Sequence, residues 1–100
     1  MSEDADVTVT VTDNPEQSRY EAIDDAGMVA GIAVYERREG LLIFTHTEVD
    51  DAAEGKGVGS TLARGALDDA RTTGLQVRSA CEFFDTYFEN HPEYQDLLSH

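Results

Sequence analysis

The chain has 100 residues, which predicts one domain over residues 1–100, with one core and no room for two lobes flanking a cleft. Its formal charge is −14, from 21 acids against six arginines and Lys56, a balance that repels nucleic acid. No apolar run reaches the roughly eighteen residues a membrane helix needs, and MSEDADVTVT lacks the basic start and apolar centre of a leader, so a cytoplasmic protein without membrane attachment is expected. Cys81 is the single cysteine, which excludes an internal disulfide and leaves no second thiol for a structural zinc site; no metal is expected.

The acids are spread through every segment, in pairs such as Asp24-Asp25, Asp50-Asp51 and Asp68-Asp69. A surface built to recognise one basic partner would gather them on one stretch. Their dispersal suggests a halophilic protein, adapted to high salt that screens self-repulsion.

In chain order, Val7, Val9 and Val11 alternate with Thr8, Thr10 and Thr12, the period-two mark of a strand with one buried face, and Asn14-Pro15 ends it. SRYEAID reads as a second strand, Asp25-Ala26-Gly27 as a tight turn and MVAGIAVYER as a third strand. After the turn at Arg38-Glu39-Gly40, LLIFTHTEV forms a fourth. Strict alternation there predicts Leu42, Phe44, His46 and Glu48 on one face, with Leu41, Ile43, Thr45, Thr47 and Val49 on the other.

A glycine-rich loop, EGKGVGST, follows. Val58, Leu62, Ala63, Ala66, Leu67 and Ala70 then recur at helical spacing, and Gly74 supplies a C-terminal stop. Leu75–Ala80 reads as a fifth strand and EFFDTYFEN as a second helix, ended by His91-Pro92. A short helix, EYQDLL, closes the chain. The predicted fold class is α+β: a mixed, mostly antiparallel sheet in the order β-β-β-β-α-β-α.

The loop admits three phosphate-binding readings. A P-loop needs lysine directly before Ser60, where Gly59 stands, and a dinucleotide fingerprint starting at Gly55 meets Ser60 in place of its third glycine. What remains is a turn whose backbone N–H groups face a pyrophosphate at the positive end of a helix. The plain alternative is that Gly55, Gly57 and Gly59 only shape a tight helix entry.

The stretch from Val49 through Glu54-Gly55-Lys56-Gly57-Val58-Gly59 resembles the acetyl-CoA-binding motif of the GNAT superfamily of N-acetyltransferases, R/Q-x-x-G-x-G/A. Gly57 and Gly59 match its glycines, and Glu54 stands where the motif has Arg or Gln. RYE, FTHTEV, EGKGVGSTLARGALDDAR and CEFFDTYFENHPEY extend the resemblance to the short, single-domain YjdJ-type subfamily, from Arg19 to about Leu98. At Cys81-Glu82 many such sequences have Cys-Pro.

The resemblance implies a minimal GNAT-like fold that transfers an acetyl group from acetyl-CoA, as co-substrate, to an amine. It implies that the fourth and fifth strands splay, with pantetheine along the backbone from Thr47 to Val49. The diphosphate would lie on Gly55, Lys56, Gly57, Val58, Gly59 and Ser60. Tyr87 falls where such enzymes carry a tyrosine that protonates the leaving thiolate, although Phe83, Phe84, Tyr87 and Phe88 also read as a packed aromatic stripe. Asn90, His91 and Tyr94 are weaker candidates for contact with the cofactor.

For the base, Glu48 and His46 are candidates because they share a strand face; each is equally readable as an ordinary surface residue. Cys81 lies where a helix begins, so its thiol is a candidate acyl carrier, a pocket residue or a small buried apolar group. The acceptor amine is not legible; the acidic surface favours a cationic one. An acyl-CoA-binding or interaction module without turnover is the alternative to an enzyme, and a monomer or weak homodimer is expected. If the acids are a salt adaptation, thermal melting should shift upward from dilute buffer to molar KCl, whereas a flat profile would favour a dedicated basic partner.

Overall fold

The computed structural model describes residues 8–51 and 57–99. Within them the elements are β1 (Val9–Asn14), β2 (Arg19–Asp24), β3 (Val29–Arg38), β4 (Leu41–Val49), α1 (Val58–Thr73), β5 (Gln76–Ser79), α2 (Glu82–Asn90) and a terminal 3₁₀ helix (Pro92–Leu97). The five strands form one sheet in sequence order, antiparallel from β1 to β4 and parallel between β4 and β5. The α+β class and element order read from the sequence match this architecture. The one change of type is the final helix, which winds as 3₁₀.

Turn chemistry sets the hairpins. Gly27 and Gly40 hold φ of 82° and 70° between β2 and β3 and between β3 and β4, a region closed to most L-residues. At the first of these turns the Asp24 carboxylate accepts from the Ala26 and Met28 N–H groups, both at 2.9 Å, and fixes the reversal. Gly74 ends α1 in the left-handed conformation, its N–H donating back to the last turn.

Both helices cover the same face of the sheet. Phe44 of β4 stacks on Phe84 of α2 with ring centres 4.2 Å apart, and packs edge-on against Tyr35 of β3. Tyr20 of β2, beside those rings, donates its hydroxyl to Asp69 of α1 at 2.7 Å. Along α1, Val58, Leu62, Ala63, Ala66, Leu67 and Ala70 are all buried, as the periodicity predicts. Burying each large apolar side chain stabilises the fold by about 1.5–3 kcal/mol. The opposite sheet face carries Arg19, Glu21, Ile32, Val34, His46 and Glu48, and none of these is fully buried. No helix among the described residues is long and apolar enough to cross a membrane.

Strict alternation fails in β4. Val34 pairs with His46 while Tyr35 pairs with Phe44, so Thr45 is an extra residue opposite the β3 junction, a β-bulge. An extra residue reverses the facing of everything after it. Leu42 and Phe44 face the helices, but beyond the bulge Thr47 and Val49 take that side, and His46 and Glu48 turn to the open face. The expected single face holding Leu42, Phe44, His46 and Glu48 is therefore divided at Thr45. A second register shift, beside Ala22 and Ile23, leaves Ala30 as the extra residue in β3.

Close approach of α1 to the edge strand depends on Gly65, where an added Cβ would lie 2.7 Å from Val11 Cβ and 2.9 Å from both its methyl carbons. Gly65→Ala gains about 1 kcal/mol of helix propensity, and overpacking costs about 1–3 kcal/mol. The clash with Val11 should outweigh the gain in propensity, so the urea midpoint of Gly65→Ala is expected to fall; a raised midpoint would show that β1 yields freely.

Candidate functional site

Pairing between β4 and β5 covers only four residues on each side, Leu41–Phe44 against Gln76–Ser79. The last backbone bond across this seam runs from the Ala80 N–H to the Phe44 carbonyl at 2.8 Å. Beyond it β4 continues from Thr45 to Val49, still paired with β3, but its other edge has no strand partner among the described residues. The bulge thus sits where the two strands part, and a wedge opens beside Thr47 and Val49.

Two predicted residues meet across the wedge. Cys81, half-buried in extended conformation at the N-cap of α2, places its Sγ 3.5 Å from the Thr47 hydroxyl oxygen. The Ser79 hydroxyl donates to the Cys81 carbonyl at 3.0 Å and holds that corner. On the open face of the sheet, His46 Nε2 and Glu48 Oε2 lie 2.7 Å apart, both side chains more than half exposed. They are brought together with each other and face away from Thr47 and Cys81.

Helix α1 begins at the far end of β4. Gly57 occupies the N-cap with φ of 81°, and no side chain among the described residues caps the helix. Among the described residues, the N–H groups of the first turn find no side-chain acceptor and are open to solvent or a ligand. In a chain with 21 acids, the first turn of α1 carries none, whereas that of α2 carries Glu82 and Asp85. Its partial positive charge is unopposed within the turn. Gly59 is held for packing as well: an added Cβ would meet the Phe83 ring at 3.0 Å and Val49 at 3.6 Å, so α1, α2 and β4 converge there. Glu54, Gly55 and Lys56 lie outside the described residues.

Beside that convergence is a pocket of about 140 Å³ lined by Ser60, Phe83, Thr86, Tyr87, Asn90 and His91. Of the predicted residues, Ser60, Tyr87, Asn90 and His91 are thus brought together. Tyr94 is not among them: it is buried, its hydroxyl donates to Asp68 at 2.7 Å, and Arg71 lies over its ring. Its position suits a packing residue joining the 3₁₀ helix to α1.

The tyrosines separate into two kinds. Tyr20, Tyr35 and Tyr94 donate to Asp69, Asp13 and Asp68, each at 2.7 Å. Tyr87, in the pocket, has no such partner among the described residues, and its hydroxyl is not sealed from solvent. Burial pushes its pKa up, keeping the phenol protonated, while the Arg64 guanidinium pulls the other way. Arg64, exposed on α1 one turn beyond Ser60, was missed by the reading of motifs; the signal was its i+4 spacing from Ser60 on the helix that the glycine loop opens.

The overall fold is similar to that of a GCN5-like protein from Staphylococcus aureus. Its solution structure superimposes with a TM-score of 0.69 at 23% identity, covering 90% of this chain and 87% of that one. No curated protein matches the chain by sequence. The chain belongs to the GCN5-related N-acetyltransferases: the family's sequence model matches residues 19–97.

Protonated tyrosines also bear on stability. Burial and neighbouring aspartates push Tyr35 and Tyr94 up to about 12, and burial with Asp69 pushes Tyr20 higher still. A raised native pKa stabilises the fold below the ordinary tyrosine value of about 10, and this contribution is lost as pH rises above it. Folding free energy should thus fall from about pH 10 upward, with tyrosinate absorbance growing together with unfolding; tyrosinate forming first in the folded protein would contradict the assignment.

Proposed function

We propose that the chain is an acetyl-CoA-dependent N-acetyltransferase of the short YjdJ-type, passing an acetyl group to an amine by direct attack in a ternary complex. The observation that carries this reading is the unpartnered edge of β4, Thr45–Val49, running to the uncapped and acid-free N-terminus of α1. An extended pantetheine arm offers amide groups that suit a strand edge, and a diphosphate suits free helix N–H groups. The residues present fit the co-substrate: Thr47 and Val49 along the arm, and Gly57, Val58, Gly59 and Ser60 at the phosphates; Gly55 and Lys56, outside the described residues, join them by the sequence motif alone. Asn90 adds an amide to the pocket and Arg64 a cation near it.

Transfer requires a neutral amine, a polarised carbonyl and a proton for the departing sulfur. Glu48, paired with His46, takes the proton that the amine releases as its nitrogen bonds to the acetyl carbon. Backbone N–H groups of β4 past the bulge stabilise the oxyanion. Tyr87 donates its phenolic proton to the thiolate as the carbon–sulfur bond breaks. The two proton-transfer groups stand on opposite faces of the sheet, on either side of the wedge, which keeps the acid apart from the base. Cys81 lines the wedge and carries no acyl group. A cytoplasmic location, a high-salt habitat and a monomeric or weakly dimeric state complete the reading, and the dispersed acids support the salt adaptation.

Acetyl-CoA consumption with a panel of amines at molar salt tests the activity; binding of CoA without turnover would favour a non-catalytic acyl-CoA module. Tyr87→Phe should lower kcat by about 10²-fold or more. Its melting temperature should be nearly unchanged, because no described residue depends on the hydroxyl. Cys81→Ala should keep most activity, and intact-mass measurement after mixing with acetyl-CoA alone should show no acetylated protein. Stoichiometric acetylation of Cys81, passed to an amine at the turnover rate, would replace direct attack with a carrier mechanism.

A further inference from the structure

His91 closes the same pocket from the C-terminal end of α2. Its imidazole lies on the Tyr87 ring, with centroids 3.8 Å apart and planes 15° from parallel. Its Nδ1 is 2.9 Å from the Tyr87 carbonyl, and because that carbonyl can only accept, Nδ1 carries the proton. One residue therefore holds Tyr87 at two places, through the backbone one turn earlier and across the face of the phenol. The other tyrosines are held by their hydroxyls, each on an aspartate. Tyr87 has no such tether among the described residues, so the stack substitutes for the hydrogen bond that a proton donor must keep free.

We propose that His91 is a positioning residue for Tyr87: the anchored imidazole fixes the phenol ring so that its hydroxyl stays unpaired and directed into the pocket. This rests on the reading of Tyr87 as the acid. The bend before Pro92 places His91 for this work. His91 has φ of −133° and ψ of 73°, outside the helix, and its backbone N–H donates to Phe88 to close α2. The side chain thereby folds back along the helix rather than continuing around it.

The stack and the hydrogen bond are separable by substitution. His91→Phe keeps an aromatic face and loses the donor; His91→Asn keeps a donor and loses the face; His91→Ala loses both. With acetyl-CoA and an accepted amine, His91→Ala and His91→Asn should lower kcat about 10-fold to 100-fold, the range for a reacting group held loosely. The KM for acetyl-CoA should stay within about twofold, as expected when only transition-state contacts are lost. His91→Phe should recover most of the rate. In a Tyr87→Phe background, His91→Ala should cause no further loss, because its effect passes through the phenol.

Ring resonances of Tyr87 give a readout independent of turnover. In the parent protein and in His91→Phe they should show slow ring flipping and the upfield shift of a stacked ring, both lost in His91→Ala and His91→Asn. Activity retained by His91→Asn and lost by His91→Phe would overturn the proposal in favour of helix capping. A raised KM with unchanged kcat would overturn it in favour of a ligand contact. If Tyr87→Phe retains full activity, the acid assignment fails, while the ring resonances still report whether His91 holds the phenol.

Discussion

A single extra residue, Thr45, decides how the far half of β4 meets the helices. Up to Phe44 the fourth strand has neighbours on both sides and presents Leu42 and Phe44 to the helices. At the bulge the strand gains local twist, its pairing with β5 ends, and the facing of every later side chain reverses. Thr47 and Val49 thereby reach the helix side, beside Cys81 and Gly59, and His46 and Glu48 are carried to the open face. The backbone groups on this edge have no strand partner among the described residues, and as polar groups they suit a ligand that offers hydrogen bonds.

The second element of the site is electrostatic. A net charge of −14 makes most of the surface hostile to a phosphate-bearing molecule. Where acids do occur near the core, several have structural duties: Asp13, Asp68 and Asp69 each accept a tyrosine hydroxyl and so tie β1, α1, β2, β3 and the 3₁₀ helix together. Asp96 and Arg71 form a bidentate pair that fastens the same 3₁₀ helix to α1. The acid-free first turn of α1 stands out against this background, because among the described residues no side chain caps it and no acid within the turn opposes the helix dipole. Arg64 strengthens the positive character one turn further on.

Membership in the GCN5-related N-acetyltransferases joins these two elements. The strand edge and the helix terminus are backbone features, set by the fold rather than by particular side chains. Among the side chains, Tyr87 is distinguished from its three fellows by a hydroxyl with no partner among the described residues and by its stack on His91.

Local pattern was sufficient for the elements. Alternation of Val and Thr, glycine at turns of positive φ, the six buried positions of α1 and the stop before Pro92 are all short-range constraints, and the chain folds accordingly. The glycine motif and Tyr87 were singled out in the same way, as residues at a spacing, and the structure places Gly57 and Gly59 at the start of α1 and Tyr87 on α2, as the element order implied. Facing in β4 was not legible in this way, because a bulge arises from the register of β4 against β3, and nothing within LLIFTHTEV marks Thr45 as the extra residue. Nor could spacing tell that Tyr94 would be committed to Asp68 while Tyr87 has no such partner among the described residues, or that the Arg64 charge would act on Tyr87, since these relations join residues distant in the chain. Short-range pattern settles which segments become strands and helices and where the glycine turn falls between them. Packing across the layers decides which polar groups are consumed in holding those layers together and which are left over for chemistry, because that division depends on what each side chain meets on the facing element.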